Sequence, residues 1–152
     1  MGGAFEQELP GERECVMGKQ KINPDGYGKP PAPYSNVIKM EKVRDMFFLS
    51  GVSATNENGE LVGRDDILEQ TKQIARNILT ELKAVGAGPE QITMTTTYVL
   101  GDHLQDFLKT GACNELFEAL DNPADTLVGV ATLAGAPYGA LIEVSVIAAK
   151  GE

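Results

Sequence analysis

A run of apolar residues between 66 and 85 constrains the fold of this chain more than any other feature. Apolar or small side chains recur there at helical spacing: Ile67, Thr71, Ile74, Ile78, Leu82 and Val85. A helix with one such stripe has to bury it against another layer of structure. Asp66 can cap its first turn with Glu69 three residues later, and Gly86 or Gly88 can end it. The pattern predicts one long helix, packed on one side.

The rest of the chain reads as strands and a second helix. Strand-like runs occupy residues 35–40, 46–54, 92–100, 124–133 and 140–150. The first two are separated by a short turn and predict a β-hairpin, and an Asn-Gly turn signal ends the second. A second helix is predicted over 104–120, with an interruption at Gly111. The order β-β-α-β-α-β-β predicts an α+β fold in which two helices cover one face of a mixed sheet.

The chain of 152 residues fits one domain, predicted over residues 33–152. Residues 1–32 are rich in Gly, Pro and charge, and they predict an N-terminal arm that is either mobile or packed on a neighbouring subunit. The N-terminus has no apolar segment typical of a secretory signal, and Glu6 disagrees with a myristoylation motif. We therefore expect a cytoplasmic protein.

Composition argues against several classes of function. A net charge of -9 disfavours nucleic acid as a partner, and no apolar run is long enough to span a membrane. Cys15, Cys113 and the single His103 cannot build a standard structural zinc site, so reduced cysteines and no metal are predicted. His103 follows Asp102, which would raise its proton affinity, but a surface turn is its simplest interpretation.

Six short motifs follow one another between residues 33 and 149: Pro33-Tyr34-Ser35-Asn36, Phe48-Leu49-Ser50-Gly51, Glu69-Gln70-Thr71 with Asn77, Thr96-Thr97, Cys113-Asn114-Glu115, and Leu141-Ile142-Glu143-Val144 with Ile147-Ala148. In their order and spacing they resemble the Rid family, the RidA/YjgF/YER057c/UK114 group. The resemblance implies a chorismate-mutase-like subunit, a homotrimer and active sites in the clefts between subunits. It also implies hydrolysis of reactive 2-imino or 2-enamino acids to 2-oxo acids and ammonia, without a metal or an organic cofactor.

One position departs from that pattern. The family's deaminases have P-A-R-S or P-T-R-T after the second helix, and the arginine holds the substrate carboxylate. This chain has Asp125 at that place, within Pro123-Ala124-Asp125-Thr126. An ionised aspartate repels a carboxylate and has no proton to donate to it. Asp125 is therefore either a solvent-facing residue or part of a changed pocket, where it would act as a base or admit a neutral or cationic substrate.

The resemblance nominates further site residues. Glu143 matches the acidic residue that orients the attacking water, and an acid within an apolar strand favours a functional role. Tyr34 is predicted as a third catalytic residue with Glu143 and Asp125, because its hydroxyl can donate or accept a proton. Alternatively, Tyr34 is an aromatic residue of a subunit interface. The predicted substrate-binding residues are Ser50, Gly51, Asn114, Thr126 and Leu127. Arg44 and Arg64 are candidates for a displaced carboxylate clamp that the sequence cannot place.

Two hypotheses of function follow. The first is a Rid-like hydrolase or deaminase acting on a small C–N compound other than a simple 2-imino acid, with Glu143 positioning water and Asp125 or Tyr34 handling protons. The second is a non-catalytic trimer of the same fold that binds a small metabolite or a partner protein. Ribonuclease activity ranks last, because it conflicts with the charge balance.

Overall fold

A computed structural model of the chain describes residues 15–16 and 18–152. Its strands are β1 (Cys15–Val16), β2 (Lys19–Ile22), β3 (Val37–Met40), β4 (Val43–Val52), β5 (Ile92–Leu100), β6 (Ala124–Val130) and β7 (Ile142–Gly151). Its α-helices are α1 (Ile67–Ala84), α2 (Leu104–Lys109) and α3 (Ala112–Ala119). The predictions made for the first 14 residues, and for the side chain of Cys15, lie outside the described part.

The long helix α1 forms as its apolar stripe predicts. Ile74, Ile78 and Leu82 are completely buried. The Asp66 carboxylate accepts a hydrogen bond of 3.0 Å from the backbone N–H of Glu69, which satisfies one of the free donors of the first turn. The predicted cap by Asp66 is therefore confirmed, but its predicted reciprocal bond is not: the Glu69 carboxylate accepts from Lys72, and the N–H of Asp66 donates to Gly63.

The main sheet has the strand order β4-β7-β5-β6. Strands β5 and β6 run parallel, while β7 pairs antiparallel with both β4 and β5. Alternate residues of β7, such as Ile142 and Val144, are fully buried under the helices. The predicted α+β class with a mixed sheet is confirmed.

The predicted hairpin between the first two strands of the domain is wrong. Strand β3 pairs with β2, and β4 pairs with β7. The connection Glu41-Lys42 contains neither Gly nor Asn, which tight hairpin turns favour. Its backbone groups form hydrogen bonds with other parts of the chain instead. The backbone N–H of Glu41 donates to Gly18 at 2.9 Å, and the carbonyl of Lys42 accepts from Glu152 at 3.1 Å. The chain thus passes from one sheet to another.

The second sheet, β1-β2-β3, contains part of the predicted arm. Lys19 on β2 is buried and forms an ion pair of 3.1 Å with Asp121, the residue that follows the last helix by two positions. Lys21 contacts the same carboxylate at 2.5 Å. The boundary proposed at residue 33 therefore falls inside a sheet, between β2 and β3.

The second predicted helix divides at Gly111 into α2 and α3. Gly111 has a φ of +85°, a left-handed conformation that interrupts the helix and that residues with a Cβ atom avoid. Phe107 on α2 and Leu116 on α3 are nevertheless both fully buried. The predicted interruption is confirmed, and three helices rather than two cover the sheet.

The buried amide of Gln70 fastens two loops to α1. Its Nε2 donates to the carbonyls of Gly63 and Gly139 at 3.1 and 2.9 Å, and its Oε1 accepts from the backbone N–H of Leu141 at 2.8 Å. These bonds hold Leu141, the residue that precedes β7 and lies two positions before Glu143.

The face of the sheet opposite the helices carries exposed apolar side chains. Phe48 is 72% exposed and Met46 is 55% exposed, and they pair across the strands with Ile147 and Ala149. We call this surface of the sheet, opposite the helices, the open face.

No helix in the described part of the chain is long and apolar enough to cross a membrane.

Candidate functional site

The carboxylate of Asp125 is held by two threonines of the neighbouring strand. Its Oδ1 accepts hydrogen bonds from the hydroxyls of Thr95 at 2.7 Å and Thr97 at 2.8 Å, and both threonines are fully buried. Asp125 pairs in register with Thr95 on the parallel strand. Because side chains alternate along a strand, all three lie on the side of the sheet that the helices cover.

Burial controls the chemistry of this carboxylate. Desolvation raises the pKa of Asp125, and the hydrogen bonds from Thr95 and Thr97 lower it by a smaller amount. The free thiol of Cys113 lies close by, and burial together with the charge of Asp125 raises its pKa to about 11. The surroundings therefore disfavour negative charge, and a cationic or proton-donating group beside Asp125 would relieve the cost.

Tyr34 lies at the same end of the molecule as Asp125. Its ring packs edge-on against Phe117, with the ring centres 6.0 Å apart. The next residue, Ser35, donates from its backbone to Pro123 at 2.9 Å and from its hydroxyl to the carbonyl of Asn122 at 2.7 Å. Tyr34 is thus tied to the turn that leads into β6, two residues before Asp125.

The remaining predicted substrate-binding residues near Asp125 do not all lie on its side of the sheet. Leu127 packs against the hydrophobic core, and Asn114 is exposed on the first turn of α3 next to Cys113. Thr126 is exposed and pairs with Thr96, which places it on the open face. We call the group of Tyr34, Cys113 and Asp125 the aspartate half-site.

A second group surrounds Glu143 on the open face. Strand β4 has a bulge between Leu49 and Val52, where its pairing with β7 shifts by one residue. The bulge brings Gly51 under Glu143, so that a Cβ atom added at Gly51 would overlap the carboxylate oxygen Oε1. Ser50 is exposed beside it. Ser50, Gly51 and Glu143 form the glutamate half-site.

Sequence reasoning did not nominate Cys113 of the aspartate half-site, nor three residues of β5 that lie beside the half-sites. Tyr98 pairs directly with Glu143 across the sheet, while Thr95 and Thr97 bind Asp125. The alternation within residues 92–100 contained this signal, because it places Thr95 and Thr97 on one face and Tyr98 on the other. Their partners depended on the strand order, which the sequence did not reveal.

The two half-sites do not meet within one chain. Asp125 lies on β6 and Glu143 on β7, with β5 between them, and the two side chains point to opposite faces. Two strand spacings alone separate their backbones by about 10 Å. One copy of the chain therefore does not bring the two predicted catalytic carboxylates into contact.

The remaining candidates lie elsewhere. The Nδ1 of His103 is 3.7 Å from Asp106, at the end of β5. Arg44 donates to its neighbour Asp45 from Nε and Nη2 at 2.9 and 2.7 Å. Arg64 donates to the carbonyl of Tyr138 at 3.1 Å. None of these contacts places the imidazole or either guanidinium beside Asp125.

The motifs and the fold agree with comparisons to known proteins. Residues 28–150 match the family model described as Endoribonuclease L-PSP. The crystal structure of YyfB from Yersinia pestis, a Rid family protein of unknown function, superposes with a TM-score of 0.78 at 29% identity, covering 88% of this chain and 99% of that one. The chain belongs to the Rid family.

The chain is also similar to proteins whose names describe different functions. A RutC family protein of Pyrococcus abyssi is 34% identical over 88% of this chain and 99% of its own length. Reactive Intermediate Deaminase A of Arabidopsis thaliana is 35% identical over 76% of this chain and 58% of its own length. A putative regulator of Lactococcus lactis, AldR, is 34% identical over 78% of this chain and 90% of its own.

Proposed function

We propose that this Rid family chain is a cofactor-independent hydrolase that releases ammonia from a small imine, enamine or related C–N compound other than a simple 2-imino acid. The observation that carries the proposal is the half-buried carboxylate of Asp125, bound by Thr95 and Thr97. The Arabidopsis relative, which is named a deaminase, supports the class of reaction.

Electrostatics supports the change of substrate. Two like charges about 4 Å apart repel by about 4 kcal/mol at an effective dielectric constant of about 20. A substrate carboxylate beside ionised Asp125 would meet that repulsion, and protonated Asp125 would offer it one donor in place of the paired donors of an arginine. A neutral imine or a protonated iminium meets neither disadvantage. We therefore expect the substrate to carry no carboxylate on the reacting carbon.

The proposed reaction needs one proton acceptor and one proton donor. Water adds to the carbon of the C=N bond while Glu143 accepts a proton from it, and the nitrogen takes up a proton from the acid. In the second step the amino nitrogen takes the proton held by Glu143, and the ionised acid takes the hydroxyl proton. The carbinolamine thereby loses ammonia, a carbonyl group forms, and both carboxyl groups return to their starting states. An aspartate with a raised pKa is suited to the acid, because it holds a proton nearer to neutral pH than an ordinary aspartate does.

Because the half-sites lie on opposite faces of one sheet, we propose that a second copy completes the site. The aspartate half-site of one subunit would then face the glutamate half-site of the next, in the homotrimer that the family resemblance implies. The exposed apolar side chains of Phe48 and Met46 on the open face support association.

The test is ammonia release from a panel of imines and enamines, with and without a carboxylate on the reacting carbon. We expect turnover of the neutral compounds and its loss in Glu143→Gln. Equal inertness of wild type and Glu143→Gln on every compound would contradict the proposed hydrolase. Preference for 2-imino acids would contradict the altered substrate class alone.

Mixing two inactive variants tests the shared site. If Asp125→Asn and Glu143→Gln subunits are unfolded together and refolded in equal amounts, about one quarter of the interfaces in a cyclic trimer receive both native residues. Recovery of about a quarter of wild-type activity supports a site built from two chains. No recovery, with mixed trimers verified by mass spectrometry, would place both carboxylates in one chain or exclude one of them.

A second candidate function is binding without catalysis. It is favoured by the relative named a putative regulator, which is matched over 90% of its length. Under this hypothesis, small neutral or cationic metabolites raise the melting temperature of the wild type but not of Asp125→Asn, and no ligand is consumed.

A further inference from the structure

The guanidinium group of Arg64 is fixed against the backbone of the loop that precedes β7. Its Nη2 donates to the carbonyl of Tyr138 at 3.1 Å. A Cβ atom added at Gly139 would lie 2.9 Å from Arg64 Nη1 and 3.0 Å from the side chain of Leu61. A side chain at residue 139 would crowd the ends of both side chains, and the φ of +98° at Gly139 is a left-handed conformation that favours glycine.

The loop that holds the guanidinium is itself anchored. The carbonyl of Gly139 and the backbone N–H of Leu141 both bond to the buried amide of Gln70, at 2.9 and 2.8 Å. A charged group held in one orientation loses less entropy on binding a ligand than a mobile surface arginine does. Arg64 is therefore a preorganised cation, although its side chain is exposed to solvent.

The fixed guanidinium keeps unused donors. An arginine has five N–H groups, and the contacts among the described residues assign one of them, to Tyr138. The ion pairs of that part of the chain engage Lys19, Lys21, Lys39, Arg44, Lys72 and His103, and Arg64 is absent from them. Its remaining donors match the geometry of an oxyanion.

We propose that Arg64, with Leu61 and Tyr138 beside it, forms a binding site for a small carboxylate that has an apolar body. A monocarboxylate is favoured over a phosphate because the chain carries a net charge of -9, which repels a dianion more strongly. The side chain of Leu61, which lies against Gly139 as the guanidinium does, provides apolar surface next to the charge. The 75% exposed side chain of Tyr138 belongs to the residue whose carbonyl binds Arg64.

This carboxylate site is separate from the aspartate half-site and does not rest on the proposed hydrolysis. The backbone N–H of Leu100, at the end of β5, donates to the carbonyl of Leu141, two residues after Gly139. Asp125 pairs with Thr95, five residues earlier on the same strand. At about 3.3 Å per residue, the two sites lie roughly 15 Å apart along the sheet.

The test uses benzoate as the probe, with benzamide as its neutral counterpart, and a nitrogen-labelled full-length chain. We expect benzoate to shift the backbone amide signals of residues 138–140 and the Nε–H signal of Arg64 in heteronuclear spectra. Benzamide should leave them in place. Arg64→Gln should weaken benzoate binding at least tenfold, and Arg64→Lys should weaken it less, because lysine retains the charge without the planar fork.

Arg76→Gln is the matched control, since Arg76 donates to Gln73 on the exposed side of α1. It should bind benzoate like the wild type. Equal shifts from benzoate and benzamide, or unchanged affinity in a folded Arg64→Gln chain, would overturn the site. Tighter binding of inorganic phosphate than of benzoate would overturn its assignment to a carboxylate.

Discussion

The carboxylate of Glu143 lies over the backbone of Gly51, where the bulge of β4 brings the two strands together. A side chain at residue 51 would occupy the place that the carboxylate holds. Gly51 is thus a positioning residue for Glu143, in addition to its predicted place in substrate binding.

Gly51→Ala should therefore reduce hydrolysis by displacing Glu143. If Glu143 orients the water, the loss should appear in kcat, at least tenfold, with a smaller change in KM. Gly28→Ala is the control, because a Cβ atom added at Gly28 meets no atom within 4 Å. A Gly51→Ala chain with wild-type kcat would show that Glu143 does not act from its present position.

Asp125→Asn should change the dependence of stability on pH. Burial raises the pKa of Asp125 on folding, so the folded chain holds this proton more tightly than the unfolded chain. The tighter proton binding stabilises the folded chain below the ordinary pKa of aspartate, and this stabilisation is lost as the pH rises through the raised pKa. Asparagine keeps an oxygen for Thr95 and Thr97 but does not ionise.

The variant should consequently be more stable than the wild type at neutral pH and similar to it in acid. Urea unfolding across that range measures the difference. Asp102→Asn, at an exposed turn, serves as the control. A destabilised Asp125→Asn chain at neutral pH would mean that the ionised carboxylate has a stabilising partner.

Cys113 should react slowly with alkylating reagents. Its pKa of about 11 leaves only about one thiol in ten thousand ionised at pH 7, and the thiolate is the reactive form. Because the charge of Asp125 contributes to this shift, Asp125→Asn should lower the pKa of Cys113 and speed alkylation. The rates are measured with iodoacetamide in a Cys15→Ser background, and equal rates in the two chains would contradict the contact.

Gln70→Met should destabilise the fold. The substitution keeps the volume but leaves the carbonyls of Gly63 and Gly139 and the N–H of Leu141 without their partner. Unpaired buried groups of this kind cost about 1 to 3 kcal/mol each, and partial access of water makes a total of about 3 kcal/mol reasonable. Urea unfolding gives the value, and Gln105→Met on the exposed side of α2 should change it little.

Phe48→Glu should prevent association through the open face. Phe48 is 72% exposed in the single chain, and burying a charge at that place in an interface would be costly. Sedimentation should give a monomer for this variant and a trimer for the wild type. Leu108→Glu is matched to it, since Leu108 is 47% exposed on α2. An unchanged trimer in Phe48→Glu would place the interface elsewhere.

The sequence by itself determined the elements whose signals are local. The stripe from Ile67 to Leu82 produced α1 with its Asp66 cap, and the left-handed preference of Gly111 divided the second helix. The ordered motifs identified the family and nominated Asp125 and Glu143. The helix, its cap and its interruption depend on residues a few positions apart, where backbone geometry and side-chain spacing act directly. The family resemblance depends on the order of the motifs along the chain.

Tertiary structure decided what depends on strand pairing. The predicted hairpin of β3 and β4 was wrong, because β3 pairs with β2 and β4 pairs with β7. The alternation of side chains along a strand does not specify which strand lies beside it. The pairing of β5 with β6 put Asp125 under the helices with Thr95 and Thr97. The pairing of β4 with β7 put Glu143 on the open face over Gly51. Which face a side chain takes follows from register across the sheet, and register is set by distant parts of the chain.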